Sequence, residues 1–276
     1  MEISKDLMPK FTLLLSIYKS SDANELDMAL HSICISSLRP SQLCLVFDGA
    51  VLVDVEGVVS KYKKYLPIEE IRLEQNIGLG PALNAALPFC KFDWVARFDA
   101  DDVCHPERFQ RQFEFLRKNP DVDLLSSWVG EFDETPESCH SIRKVPRSHT
   151  EIVSYSKYRN PFNHMAVVFR KSAVMAVGGY QACYLYEDYD LWMRMLHSGA
   201  RSANVDEVLV YARVGNGMGM RRGGWSYLLS EFKSLSRFYR SGYIALHHYL
   251  IMLLIRVPAR IIPPSLRLMF YRYILR

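Results

Sequence analysis

The sequence predicts an α/β fold, with a doubly wound, mostly parallel sheet followed by a basic helical tail. Short apolar runs alternate with segments of helical periodicity through the first half of the chain, which is typical of parallel strands joined by helices. Polar residues follow the apolar runs, where sheets of this kind bind their ligands. Charge is also divided, because residues 221–276 contain ten lysines and arginines and one glutamate.

The first strand and the first helix have clear local signals. Residues 11–17 are an apolar run between turn-forming residues, as expected of a strand that is buried on both faces. Asp22 can cap the next helix, with Glu25 three residues later. Apolar residues then recur at helical spacing as far as Ile33. The segment therefore predicts a strand–turn–helix unit.

The same alternation continues to residue 128. Strands are predicted at residues 43–47, 68–73, 92–98 and 123–128. Helices are predicted at residues 55–65, from the Gly-Leu-Gly-Pro segment at 78–81 through Leu87, and from Pro106 onward. Five predicted strands with helices between them indicate a doubly wound sheet.

The second half is less regular. Residues 130–163 are rich in serine, proline and charge and are predicted to be loops. Strands are predicted at 165–169 and 205–212, and helices at 172–177 and from about residue 187. We therefore expect one folded unit over residues 1–220, with halves 1–128 and 129–220, and a tail over 221–276.

Composition excludes several classes of protein. The six cysteines form no Cys-x-x-Cys pair, so neither a disulfide framework nor a zinc site is expected. The first ten residues have no long apolar run, and no signal peptide is expected there. No uninterrupted apolar run reaches the roughly 18–20 residues of a spanning helix.

A first acidic cluster follows the strand predicted at residues 92–98. Asp99, Asp101 and Asp102 lie within four positions, and unpaired charges in a protein interior are costly. Carboxylate oxygens at such a strand end suit Mg²⁺ or Mn²⁺, which keeps coordination positions free for phosphates. The alternative is an acidic loop that caps the next helix.

Three further features are candidates for the site. Glu187 and Asp188 form a second acidic pair at a helix start, where the alternative is simple capping. A glycine-rich loop at 215–224 contains Arg221 and Arg222, which could bind a diphosphate or could belong to a linker. His164 is either a metal or acceptor contact or a structural histidine.

The tail has a composition suited to a membrane surface. Its apolar clusters are interrupted by arginines and prolines, as in a helix that lies in the membrane interface. The alternatives are a helical cap on the domain and a dimer contact; nucleic acid is disfavoured because no reading motif accompanies the charge. If the tail binds a membrane surface, a chain that ends near Ser241 should stay folded and lose its binding to vesicles.

Taken in order, these motifs resemble the inverting glycosyltransferases of family 2, which have the GT-A fold. The resemblance covers roughly residues 10 to 225. The matching segments are residues 11–19, Asp48-Gly49, 76–84, 99–109, 160–164 and 187–192. One departure concerns Asp48, because the family usually has an Asp-Asp-Gly-Ser-type segment there and this chain has a single aspartate.

The resemblance implies a role for each candidate residue. The first half would bind the nucleotide sugar and the second half the acceptor. Asp188, with Glu187, would be the catalytic base. The metal ligands would be Asp101, Asp99 and His164. The nucleotide contacts would be Ile17, Tyr18, Asp48 (to the base), Asn76, Gly78, Asp99 (to ribose or the water shell of the metal), Arg221 and Arg222.

The implied reaction is transfer of a sugar from a nucleotide-diphosphate donor, in the first instance a UDP-sugar such as UDP-galactose, with Mn²⁺ or Mg²⁺. The acceptor would be a hydroxyl of a polyprenyl-diphosphate-linked saccharide in O-antigen or polysaccharide assembly, at the inner face of the cell membrane. Two alternatives remain: a nucleotidyltransferase and a non-catalytic nucleotide-sugar-binding protein. The enzyme reading requires Asp101 and Asp188 to approach one cleft.

Overall fold

A computed structural model of the chain describes residues 9–214 and 225–261. Nine strands form one sheet within these ranges. They are β1 (Phe11–Tyr18), β2 (Gln42–Asp48), β3 (Ile68–Arg72), β4 (Trp94–Arg97), β5 (Val103–Cys104), β6 (Leu124–Phe132), β7 (Ser141–Arg143), β8 (Val168–Arg170) and β9 (Ser202–Arg213).

The helices lie between the strands and after the last of them. They are α1 (Ala23–Cys34), α2 (Val53–Tyr62), α3 (Leu79–Ala86), α4 (Arg108–Lys118), α5 (His149–Ser156), α6 (Lys171–Ala176), α7 (Glu187–His197), α8 (Trp225–Arg240) and α9 (Leu246–Ile261). The predicted cap of α1 is confirmed, since the Asp22 carboxylate accepts the backbone N–H groups of Asn24 and Glu25.

The sheet has the order β3-β2-β1-β4-β8-β6-β9-β5, and β7 pairs with the far end of β6. Strands β3, β2, β1 and β4 are parallel, as is the long β6–β9 ladder. Shorter antiparallel pairings involve β8, β7 and β5. The prediction of a mostly parallel sheet is therefore confirmed, and its antiparallel part lies in the second half.

The core has two layers because side chains alternate across the central strands. Leu13, Leu15 and Ile17 of β1 pack with α1, α2 and α4 on one face. Leu14 of β1 packs with α3 and α7 on the other, where Trp192 is fully buried. Strands covered on both faces read as continuous apolar runs, which is why the sequence predicts them well.

The segment predicted as loops, residues 130–163, contains a helix. Helix α5 begins at a capping box, in which Ser148 and Glu151 each bind the backbone N–H of the other. The Ser-His-Thr-Glu motif was visible in the sequence, but its apolar periodicity is weak. The prediction of uninterrupted loops was therefore wrong here.

Helices α8 and α9 pack on the second half of the folded unit, against α7, rather than standing apart from it. Tyr186, Tyr189 and Met193 share a buried cluster with four residues of the tail: Leu235, Phe238, Ile244 and Met252. Residues 225–257 thus fit the alternative in which the tail is a helical cap packed on the domain. This packing does not support the expectation that a chain ending near Ser241 stays folded. The predicted boundary at residue 220 lies outside the described residues.

No helix in the described part of the chain combines the length and the apolar character needed to cross a bilayer.

Candidate active site

The carboxyl ends of β1, β2 and β4 meet at one edge of the sheet, where the sequence predicts the ligand. Tyr18 ends β1 and is 44% exposed, whereas the side chain of Ile17 is in the core. Ile17 can therefore reach a nucleotide only through its backbone. Asp48 ends β2, and Arg97 ends β4 immediately before the first acidic cluster.

The Asp48 carboxylate organises the loop before α3. Its two oxygens accept the backbone N–H groups of Ile77 at 2.7 Å and Gly78 at 3.1 Å, while the Asn76 side chain donates to the Asp48 carbonyl. Gly49 has φ +80, and a Cβ on it would lie 2.7 Å from the Asn76 nitrogen, so glycine is required there. Three predicted nucleotide contacts, Asp48, Asn76 and Gly78, thus form one hydrogen-bonded unit.

Asp99, Asp101 and Asp102 come together as the sequence predicts. One carboxylate oxygen from each lies within 4.8 Å of the others. Asp102 is buried, and its Oδ2 has no hydrogen-bond partner. Loss of hydration, and next the charge of Asp99, raise the pKa of Asp101 to about 6 and the pKa of Asp102 well above its usual value.

The chemistry of this cluster fits a divalent cation. A buried carboxylate oxygen without a partner is costly, and crowded carboxylates repel one another. A hard cation offsets both costs with oxygen ligands that it prefers. Asp99, Asp101 and Asp102 are the residues that would hold it; sequence reasoning named the first two as ligands and missed Asp102.

Arg213, at the end of β9, fixes the cluster from the other side. Its backbone N–H donates to Asp102 Oδ1 at 3.1 Å, and its guanidinium donates to the Asp101 carbonyl. The guanidinium also pairs with Glu25 of α1 at 3.3 Å. This residue was not a sequence candidate, because nothing in the local sequence links β9 to a loop more than a hundred residues earlier.

The second acidic pair lies at the N-terminus of α7. Asn160 donates to Asp188 Oδ2 at 2.6 Å, and the Tyr189 N–H donates to Oδ1. Burial raises the pKa of Asp188, and burial followed by the charge of Asp188 raises the pKa of Glu187 to about 7. Both acids therefore titrate closer to neutrality than ordinary carboxylates, as suits proton transfer.

Close packing brings α3 against this pair. A Cβ added to Gly80 would lie 2.8 Å from the Glu187 Cβ, so the missing side chain lets the two helix starts approach. The Gly-Leu-Gly turn thus contacts Asp48 through Gly78 and Glu187 through Gly80. Sequence reasoning named Gly78 but not Gly80.

Arg97 is a buried cation that pairs with the first acidic cluster and influences the second. It is 1% exposed and forms an ion pair with Asp99. Its charge also lowers the pKa values of Asp101, Glu187 and Asp188, after the larger effects of burial and neighbouring groups. One buried arginine thus influences both acidic clusters, and their approach to one cleft stays a prediction.

His164 lies beside this arginine but outside the carboxylate group. Its Nε2 is 2.9 Å from the Tyr180 hydroxyl, and its ring packs near Trp192. Burial, and then the charge of Arg97, lower its pKa well below the usual value, so the ring is neutral. The described residues that gather as possible metal ligands are the three aspartates, and a role for His164 in metal binding stays a prediction.

Arg221 and Arg222, the predicted diphosphate contacts, fall outside the described residues. Their role stays a prediction.

A mostly parallel sheet with one acidic cluster after β4 and a second at the start of α7 is typical of sugar-transferring enzymes of the GT-A class. The model of the glycosyl transferase family 2 matches residues 12–175, and that of glycosyl transferase family group 2 matches residues 94–276. The chain belongs to glycosyltransferase family 2.

Two relatives are similar over most of their length. The chain is 41% identical to the Escherichia coli UDP-Gal:alpha-D-GlcNAc-diphosphoundecaprenol beta-1,3-galactosyltransferase, over 98% of both chains. It is 39% identical to the amylovoran biosynthesis glycosyltransferase AmsE of Erwinia amylovora, over 80% of this chain and 82% of the relative.

Solved structures share the fold at low sequence identity. Staphylococcus aureus TarS 1-349 in complex with UDP-GlcNAc matches with a TM-score of 0.65 and 17% identity, over 83% of this chain and 66% of TarS 1-349. The mannosyltransferase PcManGT from Pyrobaculum calidifontis, in complex with GDP-Man and Mn²⁺, matches with a TM-score of 0.60 and 15% identity, over 97% of this chain and 82% of that chain.

Proposed function

We propose that the protein transfers galactose from UDP-galactose to a hydroxyl of an N-acetylglucosamine linked through diphosphate to a polyprenyl lipid, with inversion at the anomeric carbon. The observation that carries the proposal is Arg97, because this one buried arginine acts on both the Asp99–Asp102 cluster and the Glu187–Asp188 pair. The choice of sugar and acceptor rests on the E. coli galactosyltransferase, which is 41% identical.

The donor side of the cleft would hold the nucleotide and a divalent cation. Asp99, Asp101 and Asp102 are the ligands, and the unpartnered Oδ2 of Asp102 supports this assignment. Bound Mn²⁺ or Mg²⁺ would supply Lewis-acid stabilisation of the departing diphosphate. The loop held by Asp48, with the exposed ring of Tyr18, would contact the nucleoside.

The acceptor side of the cleft would hold the sugar hydroxyl that attacks. Asp188 accepts its proton, since each of its oxygens has a lone pair left beside the hydrogen bonds from Asn160 and Tyr189. Glu187 packs against Gly80 and lies next to the base in the chain. Its negative charge adds to the negative potential around Asp188. The hydrogen bonds fix the direction in which the carboxylate points, which is positioning work.

The competing functions are less well supported. A nucleotidyltransferase could use the aspartate cluster but would have no use for a second acidic pair held by Asn160. A non-catalytic binding protein would not need acids whose pKa values are raised toward neutrality.

The exposed face of α8 and α9 would rest on the membrane that carries the acceptor. It presents Trp225 (77% exposed), Leu229, Phe232, Leu250 and Leu254 (77% exposed). The acid among residues 225–261 is Glu231, which is buried. An apolar face without exposed acids suits an anionic lipid surface, and supports a peripheral position at the inner face of the membrane.

The direct test is a donor screen with purified protein, Mn²⁺ and a lipid-diphosphate-linked N-acetylglucosamine. Transfer from UDP-galactose in preference to other nucleotide sugars is the expected result, and excess chelator or Asp101→Ala should abolish it. Full turnover in excess chelator would remove the metal from the proposal. Transfer of a nucleotidyl group instead of a sugar would replace the proposed function by its competitor.

A further inference from the structure

The segment that carries the acidic pair, residues 181–190, is held along its length by one face of α8. Ser230 donates to the Tyr184 carbonyl, and Ser234 lies 3.3 Å from the Cys183 sulfur. Arg237 contacts Gln181 and pairs with Asp190 at 3.1 Å. These three residues of α8 recur at spacings of four and three, which is one helical face.

Arg256 of α9 completes this contact. Its Nη1 donates to Glu231 at 2.9 Å and lies 3.4 Å from the Tyr186 hydroxyl, which itself donates to Glu231. Its Nη2 donates to the Tyr158 carbonyl at 2.6 Å. Glu231 is 1% exposed and Arg256 is 13% exposed at its side chain.

One end of this bridge lies next to the acidic pair, and the other lies close to the residue that orients the base. Tyr186 immediately precedes Glu187-Asp188, and Tyr158 lies two residues before Asn160, the hydrogen-bond donor to Asp188. A single guanidinium therefore links the chain that carries the base to the chain that orients it. Planar, multidentate bridging of this kind is specific to arginine.

The held segment also contains an unfavourable backbone conformation. Leu185 has φ +65, the left-handed region that leucine rarely adopts. Such a conformation persists where the surroundings hold it in place. The contacts from α8 and α9 supply that hold.

We propose that Arg256 is a positioning residue for the catalytic base, and that α8 and α9 form a clamp on residues 181–190 that sugar transfer requires even with a soluble acceptor. The clamp acts on Asp188 through Tyr186 and through Tyr158 and Asn160. The inference rests on the proposed function, because it assigns Asp188 as the base.

The test compares the wild type with Arg256→Met and with Glu231→Gln/Arg256→Met in the full chain. The double variant removes both charges together, so that no unpaired charge is left buried. Arg240→Met, which removes an exposed arginine at the end of α8, is the matched control. Each protein is assayed for kcat and donor KM with a short soluble acceptor, and for hydrogen exchange of the peptide that spans 181–190.

The clamp predicts that the double variant exchanges faster over 181–190 and loses at least tenfold in kcat, while its donor KM stays within twofold of the wild type and the control is unchanged. A kcat within twofold of the wild type, unchanged exchange, or a matching loss of donor affinity would overturn it. Absence of transfer by the wild type would contradict the proposed function instead, and the exchange measurement would then decide the clamp alone.

Discussion

Arg97 shows how the cleft tolerates so many acids. Burial opposes its charge, but Asp99, Tyr180 and Asp102 together raise its pKa. The permanent positive charge then lowers the cost of ionising Asp101, Glu187 and Asp188 around it. A buried charge of this kind is stable when it is paired, so the arginine and the acids depend on one another.

The base assignment predicts a specific loss for Asp188→Asn. The asparagine keeps the shape of the side chain but cannot accept a proton, so kcat should fall by about 10²–10⁴-fold. Donor binding should remain near the wild-type value. Because burial raises the pKa of Asp188 and the ionised form is the base, wild-type kcat should fall on acidification at a higher pH than for an ordinary aspartate. An unchanged kcat with a raised donor KM would reassign Asp188 to binding.

The metal site predicts opposite effects of Asp102→Asn with and without metal. Removing one negative charge from three crowded carboxylates relieves repulsion, so the metal-free variant should melt higher than the wild type at pH 8, by about 2–4 °C for each kcal/mol relieved. The Asn Oδ1 can still accept the Arg213 N–H. Added Mn²⁺ should raise the Tm of the wild type and not that of the variant. Equal Mn²⁺ shifts in both proteins would exclude Asp102 as a ligand.

At the residue scale, the acids were predictable and their partners were not. Asp99, Asp101, Glu187 and Asp188 stand out in the sequence because clustered carboxylates do not suit a core. Asn160 belongs to a segment that the family resemblance includes, but its contact with Asp188, like that of Arg213 with Asp102, joins residues far apart along the chain. A single sequence contains no signal for such pairs.

At the scale of the element, the site depends on how closely helix starts approach. Gly78, which has φ +90, is the N-cap residue that precedes helix α3, and Gly80 in the first turn of the helix faces Glu187. The N-terminus of α7 carries three acids in its first turn, which the helix dipole stabilises. The two helices therefore meet where the base is held.

The packing of α3 on α7 predicts that Gly80→Ala reduces catalysis. Its Cβ would lie 2.8 Å from the Glu187 Cβ and 3.3 Å from the Gln181 carbonyl, so the acidic pair must shift. Displacements of this size cost up to about 100-fold in rate. Gly57→Ala is the matched control, because a Cβ there meets nothing within 4 Å and helix α2 should gain about 0.5–1 kcal/mol. Equal kcat values for both variants would contradict the role of Gly80.

Elements with strong periodicity or full burial were predictable, and short ones were not. Strands β1 and β2 are continuous apolar runs, and their bounds agree with prediction within one or two residues. Strands β5 and β7 have two and three residues, and exist because neighbouring strands supply hydrogen-bond partners. Tertiary pairing of this kind leaves no pattern in so short a segment.

At the scale of the whole molecule, the tail has two faces. One packs on α7 through the cluster around Phe238, and the other is apolar and exposed. A chain ending near Ser241 would lack Arg256, the cation that pairs with buried Glu231, and removing one partner of a buried ion pair costs about 3–5 kcal/mol. Truncation is thus a poor test of membrane binding, because it would also destabilise the fold. Substitutions of exposed residues on the tail test membrane binding without that effect.

The exposed face predicts that Leu250→Glu/Leu254→Glu weakens membrane binding in an otherwise folded protein. Two added negative charges near an anionic surface cost roughly 1 kcal/mol each, so co-sedimentation with phosphatidylglycerol vesicles should fall about tenfold or more. Val53→Glu, at an 88% exposed position on α2, should leave vesicle binding unchanged. Equal binding by both variants would show that this face of the tail does not meet the membrane.

The anomeric configuration of the product tests the central claim most directly. Purified protein, Mn²⁺, UDP-galactose (an α-linked donor) and a diphosphate-linked N-acetylglucosamine are incubated, and the coupling constant of the new anomeric proton is measured by NMR. A base on the acceptor side and a metal on the donor side of one cleft predict a β-linked product, formed by the wild type and lost in Asp188→Asn and Asp101→Ala. An α-linked product, or a β-linked one formed at the wild-type rate by Asp188→Asn, would contradict the account.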